Sequence, residues 1–508
     1  MKKVVIIGSG FAGLSAAAFM AKAGWQVDVL EKHPTSGGRA RQLIEQGFTF
    51  DMGPSWYWMP GVFERFFQSF DKRVSDYYTL ERLDPSYRIY WPDEATDIPA
   101  DYNKLKKLFE NIEPGSGRML DKFITEAAFK YETGINKLVH KPGRSWLEFA
   151  DWDLVKGILK LDVFNSIKDH VGKHFKNDRL RELLEFPVLF LGALPKDTPA
   201  LYSLMNYADI KLGTWYPQGG MYKIVEGMTS LAKELGVNFH FNQDVTELRI
   251  ENKLVTNVLS QPCGNHTEIN KNGRSGIPLS VNSFNADVVI SGADYHFTES
   301  RLLPGEYRSY TDKYWNKRVM APSCLLYYVG LNKRLTGLRH HMLFFDVSFN
   351  QHGKEIYSEP RWPTAPLFYV SATAVSDPTV APEGCENLFF LIPVASGLEG
   401  DTPELRVQYF DDILVRFENK IGQSVKGSII YMKSYSVSDF RNDYNSFKGN
   451  AYGLANTLRQ TAVLKPGLRS KKISNLFYTG QLTVPGPGVP PSLISGEVVA
   501  KEVIKHFR

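Results

Sequence analysis

The sequence predicts an α/β fold in which a parallel sheet is assembled from discontinuous segments, accompanied by a second unit with a mixed sheet and by a helical unit. Three observations predict it. Residues 4–7 (VVII) form a continuous β-branched run typical of a strand buried on both faces, and it leads straight into a glycine-rich turn. Residues 286–294 (ADVVISGAD) repeat the pattern, a buried strand ending in glycine, far along the chain. Residues 475–478 make a third short strand, followed by a loop dense in glycine and proline. Both ends of the chain therefore belong to one unit.

At 508 residues the chain is longer than one compact core usually holds, so two or three packed units are expected. Hydrophobic residues make up 43% and charged residues 23%, which excludes extensive disorder, collagen-like repeats and coiled coil. The balance of 60 basic against 55 acidic side chains is a mild positive excess. It suits an anionic membrane surface and falls short of a nucleic-acid footprint, so no nucleic-acid partner is expected. Cys263, Cys324 and Cys385 are far apart and show no CxxC spacing, so neither a disulfide framework nor a metal site is indicated, and a reducing cytoplasm fits best. Lys2 and Lys3 before an apolar stretch resemble a secretory signal superficially, but Gly8, Gly10 and Gly13 mark that stretch as part of the fold. No apolar run reaches the roughly eighteen residues that span a bilayer, so any membrane contact is expected to be peripheral.

The first element after residues 4–7 is the turn Gly8-Ser9-Gly10-Phe11-Ala12-Gly13, a GxGxxG pattern. Leu14, Ala17, Ala18 and Ala21 follow at helical spacing, Gly24 supplies a stop, and residues 26–30 read as the next strand. In such a βαβ unit Gly8 allows the tight turn, Gly10 lets the backbone approach a pyrophosphate, and Gly13 lets the helix pack closely. The helix N-terminus contributes amide donors and the positive end of its dipole. Glu31 lies where a carboxylate accepts hydrogen bonds from ribose hydroxyls and repels a 2′-phosphate, which disfavours NADP. A dinucleotide is the expected ligand of this Rossmann-like unit, and the motif alone leaves NAD and FAD both open. Gly37, Gly38 and Arg39 come next, small backbone and a forked cation suited to closing over a pyrophosphate from its other side; a surface turn with a solvated arginine is the plainer alternative.

Farther along, Phe164, Ile167, Val171 and Phe175 share one helical face beside Lys168, Lys173, Lys176 and Arg179. That pattern serves an interfacial helix, though an ordinary helix packed on a core is the more common use of it. Residues 186–195 are strongly apolar and are candidates for the mouth of a binding channel. Residues 237–241, 245–250 and 254–259 read as strands of a meander, and residues 261–285, rich in Asn, Gly and Ser, as a loop. After the strand at 475–478, the loop 479–488 runs into Pro490 and Pro491, which suit a helix first turn, with Leu493, Ile494, Val498, Val499 and Val503 on its apolar face. Backbone donors at that second helix N-terminus could stabilise negative charge on a reduced flavin, a need that a reduced nicotinamide does not have. Flavin becomes the better ligand.

Taken together, VVIIGSGFAGLSAA, LEKHPTSGGRA, GFTFDMGPS, WYPQGGM, DVVISGAD, GNAYGLANTLRQTAVLKPG and YTGQLTVPGPGVPPSLISG resemble the carotenoid desaturases of the bacterial phytoene desaturase type, within the wider amine-oxidase-like flavoproteins. The likeness spans nearly the whole chain, and its closing element is the most specific. It implies that Gly8, Gly10, Gly13, Glu31, Gly38 and Arg39 hold the ADP half of FAD. It implies that Gly53, Pro54, Gly219, Gly220, Gly480, Gly486, Gly488 and Val489 lie nearer the ring or its ribityl chain. The chain departs from the pattern after the GP pair, where Ser55-Trp56-Tyr57-Trp58-Met59 replaces small or hydroxylated residues. Three units are expected: an FAD-binding one from 1–80, 216–300 and 468–508, a substrate-binding one from 81–110 and 301–467, and a helical, membrane-facing one from 111–215.

The resemblance implies removal of two hydrogens from a saturated C–C bond beside a polyene, by hydride transfer to the flavin and loss of a neighbouring proton. That chemistry needs positioning in a dry channel more than a strong base, so no catalytic residue is assigned. His33, His240, His296, His340 and His341 show neither triad nor metal spacing and read as structural or exposed. Trp56, Tyr57, Trp58, Trp215, Tyr216 and Tyr452 are tunnel candidates, with core packing as the alternative. The expected partners are a hydrophobic carotenoid, a membrane surface, and quinone or oxygen as electron acceptor. Phytoene-type substrates and 3,4-desaturation of a more conjugated, hydroxylated or monocyclic carotene such as a γ-carotene derivative both remain open. So do three other activities: a flavin-dependent carotenoid isomerase, an amine-oxidase-like enzyme with a soluble substrate, and a carotenoid-binding protein that keeps FAD without turnover.

Overall fold

The computed structural model describes residues 1–145, 148, 165–189, 192–263 and 281–507. The β-branched run at the start becomes the central strand of a five-stranded parallel sheet, ordered Leu476–Tyr478, Val288–Ser291, Lys3–Ile7, Gln26–Leu30 and Asn238–His240. Alternate side chains of the central strand enter different cores, which is why its sequence shows no polar face. Val4 and Ile6 join Leu14, Ala17, Val499 and Val503 of the helices Phe11–Lys22 and Val489–His506. Val5 and Ile7 join Val245, Leu248, Val255 and Val258 of an antiparallel meander, Gln243–Glu251, Leu254–Pro262 and Asn282–Asn285. The last of these strands falls within the stretch expected to be a loop; residues 264–280 of that stretch lie outside the described residues.

The two ends of the chain are joined by close helix packing. A Cβ on Gly496 would come within 2.3 Å of the Ala12 carbonyl oxygen and 2.6 Å of Ser15 Cβ, so only glycine lets the terminal helix cross Phe11–Lys22 at this distance. Ser495 Oγ accepts a hydrogen bond from the Gly480 amide at 3.0 Å and pins the preceding loop to the same helix.

A second sheet has seven strands in the order Ile429–Tyr435, Ser323–Leu331, Glu386–Val394, Phe368–Ser371, His341–Phe344, Tyr87–Tyr90 and Ala95–Ile98. It is mixed, because His341–Phe344 runs parallel to Tyr87–Tyr90 while its other pairs are antiparallel. Leu325, Tyr327 and Val329 on one face share a core with Phe410, Ile413, Leu414 and Phe417 of the helix Pro403–Ile421. The opposite face, with Cys324, Leu326, Tyr369 and Leu391, turns toward the first sheet.

Ser116–Thr133, Ile167–His174, Asp178–Leu189 and Leu204–Ile210 make a helical region. Ile167, Val171 and Phe175 are fully buried there, so their stripe faces the core and is not an exposed interfacial face; Phe164 lies outside the described residues. Helix Ile167–His174 ends before Phe175, which is extended. Within the apolar 186–195 segment, Phe186 and Val188 are buried, and residues 190–191 lie outside the described set. No helix among the described residues is long and apolar enough to cross a membrane.

Candidate functional site

The glycine turns bring four stretches of backbone together. Gly8, at φ +89°, packs against Gly292 and Ala293, and a Cβ on Gly13 would fall 2.0 Å from the Gly8 carbonyl oxygen. A Cβ on Gly38 would lie 3.3 Å from Gly10 Cα, and one on Gly53 would lie 2.6 Å from the Arg39 carbonyl oxygen. Gly10 itself has open space where a side chain would project. The result is a cleft lined by Gly8, Gly10, Gly13, Glu31, Gly38, Arg39, Gly53, Pro54, Gly480, Gly488 and Val489, residues drawn from both ends of the chain.

Glu31 is 5% exposed, and its carboxylate accepts from the Ser9 amide at 2.8 Å, Ser9 Oγ at 2.7 Å and the His33 amide at 2.9 Å. These donors fix its orientation over the turn. Arg39 Nη2 donates to Ser446 Oγ at 3.0 Å and to the Asn450 carbonyl at 3.3 Å, while its buried Nε has no partner. Burial lowers the guanidinium pKa from its ordinary value, and the nearby Asp294 carboxylate opposes that shift. A buried guanidinium donor that lacks an acceptor, on a residue lining the cleft, suits an anionic ligand. Arg41 pairs with Asp443 at 2.7 Å, and Tyr444 lies under both Arg39 and Arg41, at 5.1 and 5.3 Å. Burial is the main force on His33 and lowers its pKa, with the Arg41 charge adding to it.

The other part of the cleft is apolar. Leu326 and Leu391 are register partners, as are Leu391 and Tyr369, so with Cys324 they form one continuous wall on the seven-stranded sheet. Trp56, Trp58, Met59, Met205 and Tyr452 complete it. Trp56 stacks on His341 with ring centroids 4.2 Å apart and an interplanar angle of 9°, and lies 5.2 Å from Trp58 and 5.7 Å from Tyr369. His341 Nδ1 is 2.6 Å from the Tyr369 hydroxyl, and burial keeps the ring well below the ordinary histidine pKa. Trp58 Nε1 donates to Thr214 Oγ1 at 2.9 Å, and Thr214 in turn donates to Asp209, which also accepts from Tyr87. Burial pushes the Asp209 carboxyl up to about 7.

Gly219, Gly220 and Gly486 do not line the cleft. Gly219 donates its amide to Asp377 at 2.6 Å, and a Cβ on Gly220 would meet Asp51 at 3.0 Å, so this glycine pair accommodates two carboxylates at the start of helix Tyr222–Glu234. Gly486 packs on Lys465, whose Nζ would be 2.5 Å from an added Cβ. Tyr57, Trp215 and Tyr216 also fall outside the lining. Tyr57 stacks on Phe63 and meets the Tyr78 hydroxyl at 3.1 Å, Tyr216 donates to Asp377 at 3.1 Å, and Trp215 Nε1 donates to the Leu212 carbonyl. His340 is likewise buried, and desolvation brings it down to about 3. The structure adds lining residues that the sequence reading missed, chiefly Asp244, Asp294, Asp443, Tyr444 and the sheet wall.

The model for flavin containing amine oxidoreductases matches residues 11–504. This chain belongs to that family. It is 39% identical to a carotenoid 3,4-desaturase of Haloarcula japonica, covering 99% of this chain and 98% of that protein. It is 30% identical to a zeta-carotene-forming phytoene desaturase of Myxococcus xanthus, covering 99% and 94%. A solved oxidoreductase from Methanosarcina mazei shares the fold, with TM-score 0.59, 17% identity, and coverage of 98% of this chain and 100% of that one. The chain is therefore an FAD-dependent oxidoreductase of the carotenoid desaturase kind within the amine-oxidase-like flavoproteins. Its cleft fits such a cofactor: open space stands over Gly10, and the Arg39 guanidinium has an unsatisfied donor.

Proposed function

We propose that the chain desaturates a carotenoid, taking two hydrogens from a saturated C–C bond next to the polyene, and that its preferred reaction is a 3,4-desaturation. The observation that carries this reading is the two-part cleft. Its volume is about 390 Å³, within the roughly 300–1,000 Å³ usual for a ligand pocket, so the support comes from its two unlike linings: glycine-rich turns with Glu31 and Arg39 in one part, which suit a cofactor, and the wall of Cys324, Leu326, Tyr369 and Leu391 in the other, which suits an apolar guest. The higher identity to a 3,4-desaturase than to a phytoene desaturase supports the choice of bond.

In this reading Gly8, Gly10, Gly13, Glu31, Gly38 and Arg39 hold the ADP half of FAD, with Glu31 accepting from ribose hydroxyls and Arg39 facing the pyrophosphate. Gly53, Pro54, Gly480, Gly488 and Val489 border the ring, where the N-terminus of helix Val489–His506 favours negative charge. A flavin held there would supply the hydride acceptor for one carbon of the bond, the neighbouring carbon losing a proton. The sheet wall and the Trp56–Trp58 pair exclude water and align the polyene. Tyr369, braced by His341 and Trp56, has its hydroxyl held in place. Burial keeps the Tyr369 phenol protonated at neutral pH, so it is no base. Peripheral contact with a lipid surface, onward electron transfer to quinone or oxygen, and the three-unit division given above belong to the same proposal; the strands of the two large sheets fall within the first and second of those units.

Incubation of the FAD-loaded protein with a panel of acyclic, hydroxylated and monocyclic carotenes in lipid tests it. A product two hydrogens lighter with a red-shifted spectrum is expected. An isomer of unchanged mass would make the enzyme an isomerase, and turnover of amines alone would overturn the reading.

A further inference from the structure

Away from the cleft, the helical region assembles three side chains with the donor set of a transition-metal site. His170 and His174 are four residues apart on helix Ile167–His174 and so occupy one face of it. Ser166 Oγ caps that helix by accepting from the Asp169 amide at 3.0 Å, which sets the register of both imidazoles. Glu126 reaches them from helix Ser116–Thr133, with Oε2 3.6 Å from His170 Nε2 and 3.7 Å from His174 Nε2. All three donor atoms lie within 4.8 Å of one another. Bonds of about 2.0–2.2 Å in tetrahedral geometry place ligand atoms roughly 3.4 Å apart, so closure on an ion needs only small side-chain shifts.

The surroundings suit a built site. The imidazoles are 4% and 7% exposed and pack on Phe123, with ring centroids at 5.3 and 5.7 Å. Glu126, at 38%, leaves one side open to solvent. Lys130 Nζ lies 3.4 Å from His170 Nε2 and also donates to the Ala200 carbonyl at 3.0 Å and to Ser203 Oγ at 3.2 Å. An imidazole nitrogen has a single lone pair, so an ion held by His170 Nε2 takes the place of Lys130 at that nitrogen. The same ammonium repels a cation and weakens its binding.

We propose that Glu126, His170 and His174 bind one divalent transition-metal ion, zinc by preference, with a fourth position open to water. Two histidines and a carboxylate are ligands that zinc accepts. The ion would staple helix Ile167–His174 to Ser116–Thr133 and would act apart from the flavin, since none of the three ligands lines the cleft.

The test uses the tag-free, flavin-loaded protein, stripped with chelator and titrated with Co²⁺, then with Zn²⁺ as competitor. One equivalent is expected, with visible Co²⁺ bands of a four-coordinate site that Zn²⁺ abolishes. His170→Ala/His174→Ala should abolish binding, and Glu126→Gln should weaken it by at least the roughly 10- to 100-fold seen when a supporting group around a metal is lost. Lys130→Met should tighten it. Flavin content, unchanged in each variant, reports folding. No binding by the parent, or binding that the double variant and Glu126→Gln leave unchanged, would overturn the proposal and leave only Glu–His contacts.

Discussion

Replacing Arg39 by Met should weaken FAD binding by about 1.5–3 kcal/mol, the net worth of one hydrogen bond to a charged group. At 1.4 kcal/mol per tenfold this is roughly 10- to 150-fold. The magnitude follows from the side chain's partners. Nη2 is committed to Ser446 and Asn450, no carboxylate lies within ion-pair distance among the described residues, and Nε is buried without an acceptor, so at least one charge-assisted bond is left for the pyrophosphate. Arg39→Lys keeps the charge but loses the fork, and should fall between the parent and Met. Quenching of flavin fluorescence on titration of the stripped protein gives the affinities. The melting temperature of the stripped variants separates a loosened Ser446–Asn450 loop from lost ligand contact. An Arg39→Met protein that binds FAD within about threefold of the parent would refute the reasoning.

Gly496→Ala should cost about 1–3 kcal/mol, because the new methyl meets the Ala12 carbonyl and the two helices must part; a lowered melting temperature together with weaker flavin retention checks it. Lys465 is buried beside Asn456 at 2.9 Å, and burial brings its pKa from 10.5 down to about 7. The unfolded chain therefore holds a proton that the folded one releases between pH 7 and 10.5, and stability due to this group rises by up to about 1.4 kcal/mol per pH unit across that window. Lys465→Met should accordingly be more stable than the parent at pH 7, by at most about 5 kcal/mol less the lost hydrogen bond, with the gap closing toward pH 10; denaturant melts at several pH values measure it. Trp56→Ala removes an aromatic face from the apolar wall and should lower kcat/KM for a carotene by roughly 10- to 150-fold, from about 1.5–3 kcal/mol of lost apolar contact, while flavin content stays constant.

The cradle was legible in the sequence because its demands are local. A turn such as 8–13 admits only glycine at Gly8 and Gly13, and the β-branched strand before it needs no long-range information. The terminal loop was equally plain, through Gly488 and the two prolines that start helix Val489–His506. The neighbours of Gly219 and Gly220 were not legible, because close backbone approach looks the same in sequence whether it serves a ligand or the Asp51 and Asp377 carboxylates that meet this pair. The contacts of Tyr57 and Tyr216 were not legible either, because aromatic bulk carries no sign of which way it points. The sheet wall was invisible for another reason: strands such as Ser323–Leu331, buried on both faces, show no alternation to mark Cys324 and Leu326 as the cleft side. Asp443 and Tyr444 reach Arg41 and Arg39 across some 400 residues of chain, a distance no local pattern encodes.

The most direct test is an anaerobic single turnover in lipid, following flavin absorbance and carotene mass in one sample. Bleaching of the oxidised flavin in step with a carotene two hydrogens lighter, one for one, is the expected result. Flavin that stays oxidised while every carotene offered is recovered unchanged would contradict the account.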